Sequence, residues 1–311
     1  MASIAVVICT RERHQTIETA VRSVLNQTEA PREVLVVDQS LSDETEEIVQ
    51  AIIADHPRVR YLRLQESGLS RAYNEGIRGT TADLVAFTDD DCVAPDGWLR
   101  EVRRSFDDEP DVDLLYGQVL IPADLMNLEN VEGVTPMLPI PARRRLNTRE
   151  GFQVFGMGAN FAARRSVFSK VGGFDEVLGG GAPLQSSQDF DLAYRGYRRG
   201  LTILLNPDVI VHHYGFRPSQ DWPATVRSYG IGVGGFYFKH VRLGDLYAAR
   251  LLGGVLLIES LRMMKRLAVM KPARTRWIFL RNVVAGIHAS LRFAIDKERM
   301  VYCRREAPAL K

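Results

Sequence analysis

The 311-residue sequence carries a formal net charge of +2, with 46% hydrophobic and 25% charged residues. A chain of this size buries a full core in one large or two fused domains, and its near-neutral balance excludes a broad nucleic-acid footprint. Cys9, Cys92 and Cys303 have neither paired spacing nor a C-x-x-C pattern, which excludes a disulfide framework or a thiolate zinc site and fits a reducing, cytoplasmic location.

Ile4 to Cys9 and Val34 to Val37 are continuous branched apolar runs, the pattern of parallel strands covered on both faces. Between them Ile17, Ala20, Val21, Val24 and Leu25 recur at helical spacing before Pro31 marks the turn back. Asp43 with Glu46 reads as a capping box ahead of Ile48, Ile52 and Ile53, followed by a strand from Val59 to Leu64, a helix from Arg71 to Arg78 and a strand from Leu84 to Thr88. This alternation predicts an α/β fold with a doubly wound, mostly parallel sheet and helices on both faces, binding ligands beyond the carboxyl ends of its strands.

After Tyr116 the composition loosens through Pro122, Pro136, Pro139 and Pro141 to Arg143, Arg144 and Arg145, a pattern that predicts a mobile connection. Phe152 to Arg164 and Leu201 to His213 are expected to contain strands, and Asp189 to Arg199 a helix ended by Gly200. From Trp222 onward the chain reads as a mainly helical extension. Met1 to Thr10 is too short an apolar run for a secretory signal, and Arg250 and Glu259 interrupt the one long apolar stretch, so a spanning helix is not expected.

Chemistry concentrates where the strands stop. The second strand ends in Asp38 and the fourth in Thr88, Asp89, Asp90 and Asp91. Adjacent carboxylates repel one another unless a cation neutralises them, and hard oxygen ligands suit Mg2+ or Mn2+ shared with substrate phosphates. The competing reading is a solvated acidic turn.

The stretches VVICTRERHQTIETAVRSVLNQT, VLVVDQSLSDET, GLSRAYNEGI and LVAFTDDDCVAPDGWL together resemble the nucleotide-binding half of glycosyltransferase family 2. The resemblance implies a GT-A fold, a nucleoside diphosphate sugar donor (UDP, dTDP or GDP) and a Mn2+ or Mg2+ cofactor. It puts Thr10, Arg11 and Glu12 on the loop meeting base and ribose, with Asp38 receiving the base. Asp89 and Asp91 match the two acids of the D-x-D motif, Asp89 toward the ribose and Asp91 holding the metal, with Asp90 a supporting, outward carboxylate. Where the family often has an arginine, this chain has Tyr73 before Asn74. That leaves Asn74 and Arg71 as donor-binding candidates, Arg71 being equally readable as a surface arginine.

A second cluster, GMGANFAARRSVFSKVGGFDEVLGGG with SSQDFDLAYRGYRRG, resembles the family's acceptor segment, with Gln188 in place of its usual glutamate. Asp189 matches the catalytic aspartate and would act as general base in an inverting transfer; the alternative is a helix cap. Asp191 reads as structural. His212 and His213 point to opposite faces of their strand, so only one can meet the metal, and the family's proline-to-histidine spacing points to His213. Residues 1–118 are thus expected to form the nucleotide-sugar-binding half, 119–216 the acceptor half and 217–311 the extension. The resemblance implies a glycan or lipid-linked glycan as the acceptor. The leucines and basic residues of the extension suit either a peripheral membrane contact at the inner face or packing that includes a homodimer contact. Two other functions compete, a nucleotidyltransferase that makes a sugar nucleotide and a non-catalytic sugar-nucleotide-binding protein.

Overall fold

The computed structural model describes residues 2–122, 125, 133–146, 151–152 and 156–303. Two compact units divide the chain. One comprises Met1–Ser67, Arg71–Gly173 and Leu192–Arg217; the other comprises Gly68–Ser70, Phe174–Asp191 and Pro218–Lys311.

The first unit opens with β1 (Ile4–Thr10), α1 (His14–Leu25), β2 (Glu33–Asp38), α2 (Glu44–Asp55) and β3 (Val59–Arg63), then α3 (Leu69–Arg78, in this unit from Arg71) and β4 (Leu84–Asp89). All seven residues of β1 are buried, because helices cover both faces. Ile4, Val6 and Ile8 pack with Ile17, Val21 and Val24 of α1 in one core. Val7 points the other way, where a methyl group added at Gly76 of α3 would stand 2.4 Å from its side chain.

Further strands are β5 (Cys92–Val93), β6 (Val112–Leu120), β7 (Arg144–Leu146), β8 (Asn160–Arg164) and β9 (Thr202–His213), with α4 (Trp98–Asp108) and α5 (Arg165–Val171) between them. The sheet runs in the order β3-β2-β1-β4-β8-β6-β9-β5, with β7 paired to β9. Pairing is parallel for β1 with β2 and β4, for β2 with β3 and for β6 with β9. β8 lies antiparallel between β4 and β6. The expected doubly wound α/β architecture is therefore present with this antiparallel strand inserted. The short β5 pairs His213 with Cys92, which carries the end of β9 to the acidic run after β4.

Two local expectations are corrected. Asp43 precedes α2 without a side-chain capping bond; its carboxylate, like that of Glu46, is taken by Arg63 of β3. β6 continues past Tyr116 to Leu120, because Val119 is buried in the sheet core, so the loose connection starts later and lies partly outside the described residues. The segment from Phe152 to Arg164 contains a strand as expected, over Asn160–Arg164, with 153–155 outside the described residues.

In the second unit α7 (Trp222–Arg242), α8 (Leu246–Ala268) and α9 (Arg274–Ser290) precede a hairpin of β10 (Ala294–Asp296) and β11 (Val301–Cys303). Gly234 permits close approach of α7 to α9, since a Cβ there would lie 2.1 Å from the Val283 carbonyl oxygen. α8 is capped by Asp245, whose carboxylate accepts the amides of Tyr247 and Ala248, an arrangement contributing about 1 kcal/mol.

Candidate active site

The carboxyl ends of β1, β2 and β4 converge because these three strands are adjacent and parallel. Beyond Thr10 the chain turns through Arg11 and Glu12, the latter at φ 54°. Two bonds offset that left-handed conformation. The Glu12 amide donates to Ser40 Oγ at 2.8 Å, and Glu12 Oε1 accepts the Leu41 amide at 2.6 Å. Asp38, fully buried at the end of β2, accepts the Ser40 amide on one carboxylate oxygen and the Tyr61 hydroxyl on the other, each at 2.8 Å. The two loops are thus tied together through protein groups.

At the end of β4, Asp89 is partly buried and accepts the Tyr73 hydroxyl at 3.3 Å. Burial, reinforced by the charges of Asp91 and Asp90, pushes its carboxyl up to about 7 against the opposing pull of Arg13 and the Tyr73 bond. Asp90, expected to face outward, is instead buried. Arg13 Nη1 donates to its Oδ1 at 3.1 Å, because the turn after β1 aims this guanidinium at the acidic run. Burial raises the Asp90 carboxyl to about 6, with Arg13 opposing.

Asp91 is the divided residue. Its Oδ2 pairs with Arg13, whereas its buried Oδ1 accepts no hydrogen bond and lies 3.5 Å from His213 Nε2. Burial lowers the pKa of His213, opposed by the Asp91 charge, and its Nδ1 accepts the Gly215 amide at 3.0 Å. Gly215 also leaves the room that the pair occupies: a Cβ there would stand 2.2 Å from Asp91 Oδ2 and 2.5 Å from His213 Cε1.

Among the described residues, Asp91, Cys92 and His213 form one group whose ligand atoms all lie within 4.8 Å of one another. An unsatisfied buried carboxylate oxygen facing an imidazole fits a divalent cation. Cys92 fits it less well, because burial and the charges of Asp89 and Asp91 push its thiol well above the ordinary range, and a protonated thiol is a poor ligand for a hard ion. Asp89 is not a member of this group.

Other sequence-identified residues hold varied positions. Arg71 forms an ion pair with Glu66. Asn74 is buried beside Gly173, where a Cβ would meet its Oδ1 at 2.3 Å. Asn160 is a satisfied buried amide that accepts the Trp98 indole N–H and donates to the carbonyls of Gln118 and Val209.

In the second unit, Asp189 is partly buried near the start of α6 (Gln188–Arg198) and its Oδ1 accepts the Phe190 amide at 2.9 Å. Asp191 is wholly buried, 2.5 Å from Lys239 Nζ and 3.2 Å from His240 Nε2. Lys239, itself wholly buried, also reaches Asp175 Oδ2 at 2.6 Å. Sequence reasoning missed Arg13 and Lys239. Arg13 could have been found from its place in the loop facing three acids, whereas Lys239 sits in an unremarkable helical run.

Residues 5–172 match the family described as Glycosyl transferase family 2. The glucosyl-dolichyl phosphate glucuronosyltransferase of Haloferax volcanii is 25% identical over 225 residues, 70% of this chain and 72% of that protein. The pre-mycofactocin glycosyltransferase of Mycobacterium tuberculosis is 27% identical over 174 residues, 56% of this chain but 36% of that protein. A solved mannosyltransferase from Pyrobaculum calidifontis, PcManGT, in complex with GDP-Man and Mn2+, has a TM-score of 0.62 at 21% identity over 93% of this chain and 87% of that one. That likeness shows the fold, an α/β GT-A architecture with a helical C-terminal part.

Proposed function

The chain belongs to glycosyltransferase family 2 and is a glycosyltransferase; from that premise we propose that it moves a sugar from a nucleoside diphosphate to an acceptor hydroxyl with inversion. The observation carrying this reading is the unsatisfied Asp91 Oδ1 facing His213 at the carboxyl edge of the parallel strands, beside the loops that follow β1 and β2.

Asp91 and His213 hold the cation in this reading, with Asp89 alongside. A bound Mn2+ or Mg2+ would neutralise the charge of the departing diphosphate. Thr10, Arg11 and Glu12 hold the base and ribose together with Asp38, Asp89 contacts the ribose, and Arg71 and Asn74 serve the diphosphate. Residues 1–118 act as the donor half and 119–216 as the acceptor half, with 217–311 as the extension. Asp189 takes the proton of the acceptor hydroxyl as its oxygen attacks the anomeric carbon. The bond from that carbon to the diphosphate oxygen breaks in the same step, so the configuration inverts and the nucleoside diphosphate leaves with the electron pair.

The GDP-Man and Mn2+ bound by PcManGT support the donor class and the metal. The lipid-linked acceptors named in relatives such as the Haloferax volcanii enzyme support a glycan or lipid-linked glycan acceptor. Family membership removes the nucleotidyltransferase alternative. A screen of UDP-, dTDP- and GDP-sugars that follows nucleoside diphosphate release, with and without chelator, tests the reading. Release on one donor, lost on chelation, supports it; donor binding without any release would favour the non-catalytic alternative motivated by Gln188.

A further inference from the structure

The second unit presents an outward surface that the transfer chemistry leaves unused. Of the 23 residues of α8, only Ala248 and Leu252 are buried. Its outer side is nevertheless apolar. Leu257, Leu261 and Met264 recur at the i, i+4, i+7 spacing of a single helical face, exposed at 61%, 51% and 52%. The stripe runs on into the turn before α9, where Met270 is 94% exposed. A helix this poorly covered by its own protein and this apolar on its free side marks an interaction surface.

Charge identifies the partner. Between Ser260 and Arg281 the sequence carries seven Lys or Arg and no Asp or Glu. Arg262 and Arg276 pair with Glu259, whereas Lys265, Arg266, Lys271, Arg274 and Arg281 make no ion pair among the described residues, so five positive charges remain around the stripe. A second copy of the chain docking through this same face would bring those charges against their equals, which like-charge repulsion opposes. An anionic bilayer accepts both features, leucine and methionine entering the acyl boundary while lysine and arginine meet lipid phosphates. No described helix is long and apolar enough to cross a membrane, so the contact is interfacial.

We propose that α8 and the turn following it form a peripheral docking surface for an anionic lipid bilayer, with Leu257, Leu261, Met264 and Met270 as the inserted residues and Lys265, Lys271 and Arg274 as the phosphate-facing ones. This surface lies outside the groups assigned to sugar transfer, so the proposal does not depend on that assignment.

The test is flotation of the full chain with phosphatidylcholine vesicles, with or without phosphatidylglycerol, at low and high salt. Binding is expected only to the anionic vesicles, and weakened by salt. Each basic residue near an anionic surface strengthens partition about fivefold, so Lys265→Gln, Lys271→Gln and Arg274→Gln together should weaken it about a hundredfold. Leu261→Ser with Met264→Ser should also release the protein while leaving its circular dichroism unchanged. Three outcomes would overturn the proposal: folded wild-type chain that never floats, flotation indifferent to both variant sets, or a dimer in light scattering that the apolar substitutions dissociate.

Discussion

Gly215→Ala removes no candidate ligand and yet is expected to disable the Asp91–His213 pair. The added Cβ would stand 2.2 Å from Asp91 Oδ2 and 2.5 Å from His213 Cε1, whereas ordinary contact begins at 3.4 Å. One or both side chains must therefore move by about 1 Å. Gly215 does not occupy the left-handed region, so alanine brings steric displacement without backbone strain. A shift of that size at a ligand pair should weaken divalent-metal binding about 10- to 100-fold, as loss of an orienting neighbour does. Crowding should also lower stability by about 1–3 kcal/mol, so binding must be measured below the variant's unfolding transition. Isothermal titration of Mn2+ into the chelator-stripped protein, wild type against variant, reads the effect directly. Mn2+ affinity within threefold of wild type in a folded variant would refute the reasoning.

Asp91→Asn should abolish that Mn2+ binding and chelator-sensitive transfer together, and transfer that continues in chelator with negligible residual metal would contradict the assignment. In metal-free protein, Asp89 holds its carboxyl at about 7, above the ordinary range, so its neutral form is the one the fold favours. That contribution is complete below the unfolded-state pKa near 4 and is lost as pH rises toward 7. Under chelation, Asp89→Asn should accordingly gain stability relative to wild type between pH 5 and pH 7.5 by denaturant titration, and no relative gain would discount the acidic repulsion. Lys239→Met leaves Asp175 and Asp191 buried without their shared cation, which should cost about 3–5 kcal/mol. A loss under 1 kcal/mol would show that the cluster contributes little.

The alternation of apolar runs made the central strands and their helices legible, since Ile4 to Cys9 and Ile17 to Val24 are buried where their periodicities place them. The acidic run after β4 was equally legible from its composition. What remained hidden depends on strand order and distant pairing. Nothing local reveals that Arg63 diverts Asp43 and Glu46 from a capping box, or that Lys239 closes on Asp175 and Asp191. The antiparallel β8 was hidden for the same reason, because the run Asn160–Arg164 is compatible with either direction. His213 illustrates the boundary between the two: alternation told that one histidine of the pair faces the acids, the proline-to-histidine spacing pointed to His213, and the structure places its Nε2 3.5 Å from Asp91 Oδ1.

The most direct test of the account is single-turnover transfer by Asp189→Asn with the donor identified in the screen, alongside donor affinity measured by titration. A carboxylate that takes the acceptor proton contributes a hundredfold or more to turnover, about the usual share of general-base catalysis, while leaving donor binding nearly unchanged. The expected result is therefore affinity within a fewfold of wild type and chemistry slowed at least a hundredfold. Chemistry within a fewfold of wild type would contradict the account and leave Asp189 with its bond to the Phe190 amide as a helix-start residue.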